Sequence, residues 1–183
     1  MKKAFSSWHG WAALWGFAEA TLFFIVPDVL LTFVATKRPG LALRCCFSCA
    51  IGAVIGGAFM ASWGQSDLAG ATEVLERVPA IHASMIEDAA IEMQADGNRA
   101  MFLAPLKLRA YKLYALQAGA AEWSPARFIA VSFLARLPRF LISVGVVSVV
   151  VGLTGRWLTM RWRVGLLTAF WLTNYALYFR AFL

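Results

Sequence analysis

Residues 41–63 read LALRCCFSCAIGAVIGGAFMASW, a run whose one charge, Arg44, lies near its start. At 1.5 Å per residue a helix of this length reaches about 34 Å, enough to cross a hydrocarbon core of about 30 Å. Gly52, Gly56 and Gly57 place small residues where a neighbouring helix can approach closely. Residues 41–64 therefore read as a transmembrane helix, and the rest of the chain is organised around it.

The composition supports that reading. Of 183 residues, 61% are hydrophobic and 15% charged, against roughly 45–50% and about 25% in ordinary soluble domains. Mean hydropathy is +0.67. A soluble domain of this size has too little interior to bury that much apolar surface. The same figures exclude a disordered chain, a collagen and a disulfide-rich secreted scaffold. The net charge is +7, yet seven of the ten acids lie within residues 67–96 against Arg77 alone. That stretch carries −6 and the remainder +13. Bases gathered at the ends of apolar spans point to anionic lipid headgroups as partners and away from nucleic acid.

Upstream, residues 4–36 are apolar but interrupted at Glu19 and again at Pro27-Asp28. The arm after the second break, residues 29–36, makes only about 12 Å of helix and cannot cross. Two apolar arms around a Pro-acid break read as a first re-entrant hairpin (4–36). Such a break is tolerated at membrane depth only where protein or water surrounds it. Lys2-Lys3, the apolar run and Ala18-Glu19-Ala20 outline a signal peptide, but Glu19 sits badly in a cleavage site and the apolar pattern resumes at once, so no cleavage is expected. Lys37-Arg38-Pro39-Gly40 is a basic loop, with Pro39 placed to open a helix.

Downstream, residues 66–98 form an acidic amphipathic segment. Val74, Leu75, Val78, Ile81, Met85, Ile86 and Ile91 recur among acids at roughly helical spacing, which predicts one or two helices lying on the membrane or over the bundle. Residues 101–122 are apolar again, broken by Pro105 and by Lys107, Arg109 and Lys112. They read as a second re-entrant hairpin. Ser124-Pro125 supplies an N-cap and a first helical residue. Residues 125–153 are then a second long span, containing Arg136-Leu137-Pro138-Arg139. Residues 162–182 are a third, with Trp162, Trp171, Tyr175 and Tyr178 as an aromatic belt. Each half thus has a broken charged hairpin, a short loop with proline and a long span, the pattern of a transporter with inverted repeats. The expected fold is an all-α integral membrane protein: two re-entrant helical hairpins plus about three long transmembrane helices in a pseudo-inverted repeat, with an amphipathic helical insertion.

Ionisable groups in apolar spans cost roughly 2.5–3.5 kcal/mol each at the centre of a membrane, so they mark where function is to be sought. They are Glu19 and Asp28 in the first hairpin, Arg109 and Lys112 with Lys107 in the second, and Arg136 and Arg139 on one face of the second long helix. Two acids against five bases leave a positive pocket suited to a phosphate-bearing headgroup. The arginines would hold its oxygens bidentately, and Glu19 or Asp28 would take a proton or an amine. The same residues would equally serve as an ion-pair network that only locks the hairpins together. Lys107 and Arg109 read as snorkelling side chains near the interface. Cys45, Cys46 and Cys49 lie in an apolar helix far from His9 and His82 and read as packing residues, so no metal or cofactor is expected. Nothing resembles a nucleophile with its base or a phosphate-cradling loop, so an enzyme is not expected.

Phe17-Ala18-Glu19-Ala20 followed by Pro27-Asp28-Val29-Leu30-Leu31 resembles the first-hairpin motif of the DedA/VTT (SNARE-associated Golgi protein-like) membrane family, in its short YqaA-type branch. Gly52-x-x-x-Gly56-Gly57 is similar to that family's glycine-rich helix. Lys112 with Ala118-Gly119-Ala120 is similar to its second-hairpin motif, and Arg136-x-x-Arg139-Phe140 to its arginine pair. The likeness covers residues 15–64 and 102–152. It departs at Leu108 and Ala110, where the family usually has prolines, and at Trp63-Gly64 in place of Gly-Arg. The resemblance implies two opposed hairpins meeting at mid-membrane in a multi-pass protein of the bacterial inner membrane. It also implies movement of phospholipid or undecaprenyl phosphate between leaflets, with proton coupling. The alternative is a non-transporting component or assembly factor of a larger membrane complex, favoured by the short chain, the acidic segment and the aromatic last helix. The glycine face allows a homo-oligomer without requiring one.

Overall fold

The computed structural model describes residues 2–105, 107 and 109–182, with residues 2–6 and 181–182 described by backbone alone. Leu108, one of the departures noted above, lies outside the described residues. Among them the chain is all-helical, with no strand.

Helix α1 (Lys2–Ala20) ends where the Thr21 hydroxyl turns back to donate to the Phe17 and Ala18 carbonyls at 3.1 and 2.9 Å. A serine or threonine bonded this way occupies carbonyls that the helix would otherwise use. The chain then crosses a seven-residue break, held by the Trp15 indole donating to the Ile25 carbonyl at 3.0 Å. Pro27 precedes α2 (Asp28–Lys37), whose first residue is an acid at the positive end of the helix dipole. Pro39 opens the long α3 (Pro39–Ser66), as its missing N–H allows.

Glycines set how closely α3 packs. A Cβ on Gly52 would overlap the Ala13 backbone, and one on Gly56 would sit 2.6 Å from the Phe17 carbonyl oxygen. At its other end, Gly64 faces the Leu116 backbone while Gly119 faces that of Ala61. These contacts bring α1 and α7 (Tyr111–Ala120) onto α3 backbone to backbone. Gly57 clears room for the Tyr111 ring, whose Cζ lies 2.9 Å from where its Cβ would be.

Residues 66–98 hold α4 (Leu68–Glu76), capped by Asp67 accepting from the Gly70 N–H at 2.9 Å, and α5 (Ala83–Asp96). Gly97, at φ 52°, then turns the chain into the short α6 (Asn98–Leu103). Residues 104–110 separate α6 from α7. The Ser124 hydroxyl caps α8 (Pro125–Thr154), which carries Pro138 in its interior. The last helix is α9 (Met160–Phe182). Twice, then, a ten-residue helix leads through a short link into a long helix opened by proline, α2 into α3 and α7 into α8. Among the described residues two helices, α3 and α8, are long and apolar enough to cross a membrane.

Two cores flank the middle of α3. One gathers the C-terminal half of α3, the lobe α4–α6, α7 and the start of α8. The other gathers α2, the N-terminal half of α3 and the later part of α8. On α8, Ala135 belongs to the first core and Phe140 to the second, so the residues between them stand at the junction. The three cysteines are free thiols packed in the second core.

Candidate functional site

Arg136 occupies that junction with none of its surface exposed. One of its terminal nitrogens, Nη2, donates to Glu19 Oε2 at the end of α1. Its guanidinium carbon lies 4.7 Å from the Tyr111 ring centroid and 4.9 Å from that of Phe140, within the reach of a cation–π contact. Nε and Nη1 make no hydrogen bond. The Tyr111 hydroxyl shares a short hydrogen bond with the Ser132 hydroxyl one turn before Arg136. The guanidinium is thus held by one carboxylate and two ring faces, with two of its donor nitrogens unused.

One turn along α8, Arg139 Nη2 stands 3.1 Å from Asp28 Oδ2, an ion pair without hydrogen-bond alignment. The Ser143 hydroxyl donates to the other carboxylate oxygen at 2.6 Å. Asp28 is buried, whereas the Arg139 side chain keeps 28% of its surface. Arginines spaced i, i+3 on α8 therefore meet one acid on each side of the first break.

Lys112, on α7, is equally buried. Its ammonium donates to the Phe23 carbonyl in that break at 2.7 Å. Among the described residues it forms no ion pair. Four of the expected residues, Glu19, Lys112, Arg139 and Arg109, line one cavity of about 370 Å³. Asp28 and Arg136 lie behind it, each bonded to a lining residue.

Two of the bases do something the sequence did not reveal. Lys107 and Arg109 read as snorkelling side chains, but each pairs with α5, Lys107 with Glu92 at 2.8 Å and Arg109 with Asp88 at 2.7 Å. The Tyr114 hydroxyl also donates to Glu92, at 2.6 Å. Partial burial alone would raise the Glu92 carboxyl, but the hydrogen bonds from Lys107 and Tyr114 and the charges of Lys107 and Arg109 hold it below the usual carboxylate range. These contacts fasten α5 of the acidic lobe to Lys107, Arg109 and Tyr114, and Val78, Pro79 and Ile81 from its α4–α5 link reach the cavity wall.

Sequence reasoning missed the opposite wall. Trp171, Asn174, Tyr175 and Tyr178 of α9 face the charged floor. The Tyr175 hydroxyl accepts from the Val26 N–H at 2.8 Å, and the Trp171 indole donates to the Thr32 hydroxyl at 3.1 Å. The signal was present in the i, i+4, i+7 spacing of Trp171, Tyr175 and Tyr178. Aromatics near the ends of an apolar span read first as an interfacial belt.

No family model matches the chain. No solved structure matches it either. A protein of Haemophilus influenzae (strain ATCC 51907 / DSM 11121 / KW20 / Rd) is 30% identical over 140 residues, which cover 73% of this chain and 71% of that one. The chain belongs to that protein's family. The relative is described as an uncharacterized protein.

Proposed function

We propose that the protein is a multi-pass protein of the bacterial inner membrane that moves a phosphate-bearing lipid between leaflets. The observation that carries this is a cavity with a buried ammonium and two arginine–carboxylate pairs at its floor, enclosed by apolar helices.

The outer surface supports the membrane setting. Leu43, Phe47, Ile51, Ile55 and Phe59 form an exposed stripe along α3 at every fourth residue, about 24 Å long at 1.5 Å per residue. Ile142, Val146, Val149, Val150 and Leu153 extend apolar surface along α8. Together they exceed what a soluble monomer leaves uncovered. In lipid this surface needs no partner, and two backbone polar groups of the α1–α2 break are satisfied by protein, the Phe23 carbonyl by Lys112 of α7 and the Val26 N–H by Tyr175 of α9. Helix α9 serves as a third span, and the two runs of short helix, link and long helix form the inverted repeat. This reading includes membership of the DedA/VTT-like proteins, on the motifs around Glu19, Asp28 and Arg136.

In this mechanism a headgroup phosphate enters beside Arg139 and Lys112 while its chains stay against the apolar helices. Glu19 and Asp28 each occupy an arginine at rest. Protonation of either acid releases its arginine to bind phosphate oxygens, and loss of that proton restores the pair and expels the lipid. Proton uptake and lipid binding are thereby linked through the same two carboxylates.

The test is leaflet exchange of fluorescent phospholipid and polyprenyl phosphate in liposomes containing the purified protein. Exchange of either lipid, lost in a monodisperse Arg136→Ala/Arg139→Ala variant, is the expected result. Absence of exchange from a folded wild-type sample overturns the proposal and favours the assembly-component alternative.

A further inference from the structure

We infer that the cavity selects an amphiphile of net charge −1 and that Lys112 is the residue setting this selection. That the amphiphile is a lipid rests on the transport proposal above; the charge preference is a property of the site.

Among the described residues, the bases at the cavity or bonded to its lining are Arg109, Lys112, Arg136 and Arg139. The acids are Glu19, Asp28 and Asp88. Three bases are matched one to one, Arg136 with Glu19, Arg139 with Asp28 and Arg109 with Asp88. Lys112 is left over, and its bond to the Phe23 carbonyl satisfies one N–H without cancelling the charge. At 2% exposure it has almost no water to do so. A buried charge without a counter-charge is costly, and a ligand that supplies one recovers that cost.

The count then discriminates between headgroups. While Glu19 and Asp28 are both ionised and paired, the state the entering headgroup meets before any proton is taken up, a phosphodiester carrying no other charge brings −1 and balances the site. A zwitterionic headgroup brings none and leaves Lys112 uncompensated. The remaining lining explains why an amphiphile fits better than a free anion. Phe23, Phe24, Val26 and Leu177 present apolar surface beside the charged floor, and inorganic phosphate would leave that surface uncovered. Arg139 is the reachable member of its pair, so it adds hydrogen-bond donors to the same phosphate without changing the balance.

The experiment is native mass spectrometry of the detergent-solubilised full chain, titrated with phosphatidylglycerol or phosphatidylcholine, with and without millimolar inorganic phosphate. Leaflet exchange of the same two lipids is followed in liposomes. Wild type should retain phosphatidylglycerol at least tenfold more tightly than phosphatidylcholine. The preference should vanish in Lys112→Met and Lys112→Gln and survive in Lys112→Arg. Equal retention of the two lipids by wild type overturns the inference with no variant needed, as does a preference that persists in a folded Lys112→Gln. Displacement of phosphatidylglycerol by inorganic phosphate overturns its amphiphile part. A tenfold preference without leaflet exchange sinks the transport proposal and leaves the charge selection standing; exchange of both lipids without preference does the reverse.

Discussion

Arg136 and Glu19 are 117 positions apart in the chain, yet the guanidinium donates to the carboxylate with both side chains buried. The contact ties the end of α1 to the middle of α8. Beside it the Arg139–Asp28 pair ties the start of α2 to the same helix. The end of α1 and the start of α2 are therefore both referenced to α8, and the break between them forms one wall of the cavity.

Removing one partner of a buried pair leaves the other charge stranded, which typically costs about 3–5 kcal/mol. Glu19→Gln should destabilise by that order. Glu19→Gln with Arg136→Met, which removes both charges, should regain more than half of the loss. Unfolding in mixed micelles measures both. A double variant no more stable than the single one would mean that the pair is not the source of the effect.

The helix over 41–64 was legible because a long apolar run with one charge favours unbroken helix, and α3 contains it. Pro39 and Ser124-Pro125 were legible as helix starts because their chemistry is local. Glu19, Asp28, Arg136 and Arg139 stood out by cost alone. Their pairing did not, since nothing local specifies which acid meets which arginine across more than a hundred residues. Arg109 was read as snorkelling because its partner Asp88 belongs to a segment whose docking no periodicity reveals. The wall from α9 was hidden for the same reason, as the spacing of Trp171 and Tyr175 defines a face without saying what lies opposite.

Two glycines of equal helix propensity should respond with opposite sign. A Cβ at Gly52 meets the backbone of Ala13, which has no rotamer to yield, whereas one at Gly145 has no heavy atom within 4 Å. Gly52→Val should cost about 1–3 kcal/mol by overpacking, and Gly145→Ala should stabilise by about 0.5–1 kcal/mol by restricting the unfolded chain. Thermal unfolding of the two purified variants decides it. Similar shifts in the same direction would contradict the close α1–α3 crossing.

Tyr175 caps an N–H that no helix satisfies, so its loss should be felt in the break before anywhere else. Tyr175→Phe removes one hydroxyl and leaves the Val26 N–H without an acceptor, at about 1–3 kcal/mol. Hydrogen exchange across residues 21–27 should quicken at least fivefold while peptides from α3 keep wild-type protection. Unchanged exchange in the break would show that α9 does not hold it.

The contacts of α5 with Lys107, Arg109 and Tyr114 should weaken in acid. Glu92 has an ordinary carboxyl value of 4.5, and its surroundings hold it lower in the folded protein. A carboxyl depressed on folding contributes stability that is present above its unfolded value and is lost as pH falls through the folded one. The charged groups facing it are Lys107 and Arg109, with Asp88 one turn away on α5 occupied by Arg109. Wild type should therefore lose lobe stability as pH falls below the ordinary value of 4.5 and through the lower folded one. Glu92→Gln should start less stable at neutral pH and decline less over the same window. Hydrogen exchange in α5 at a series of pH values reads both slopes, and parallel declines in wild type and variant would assign the acid response to other groups.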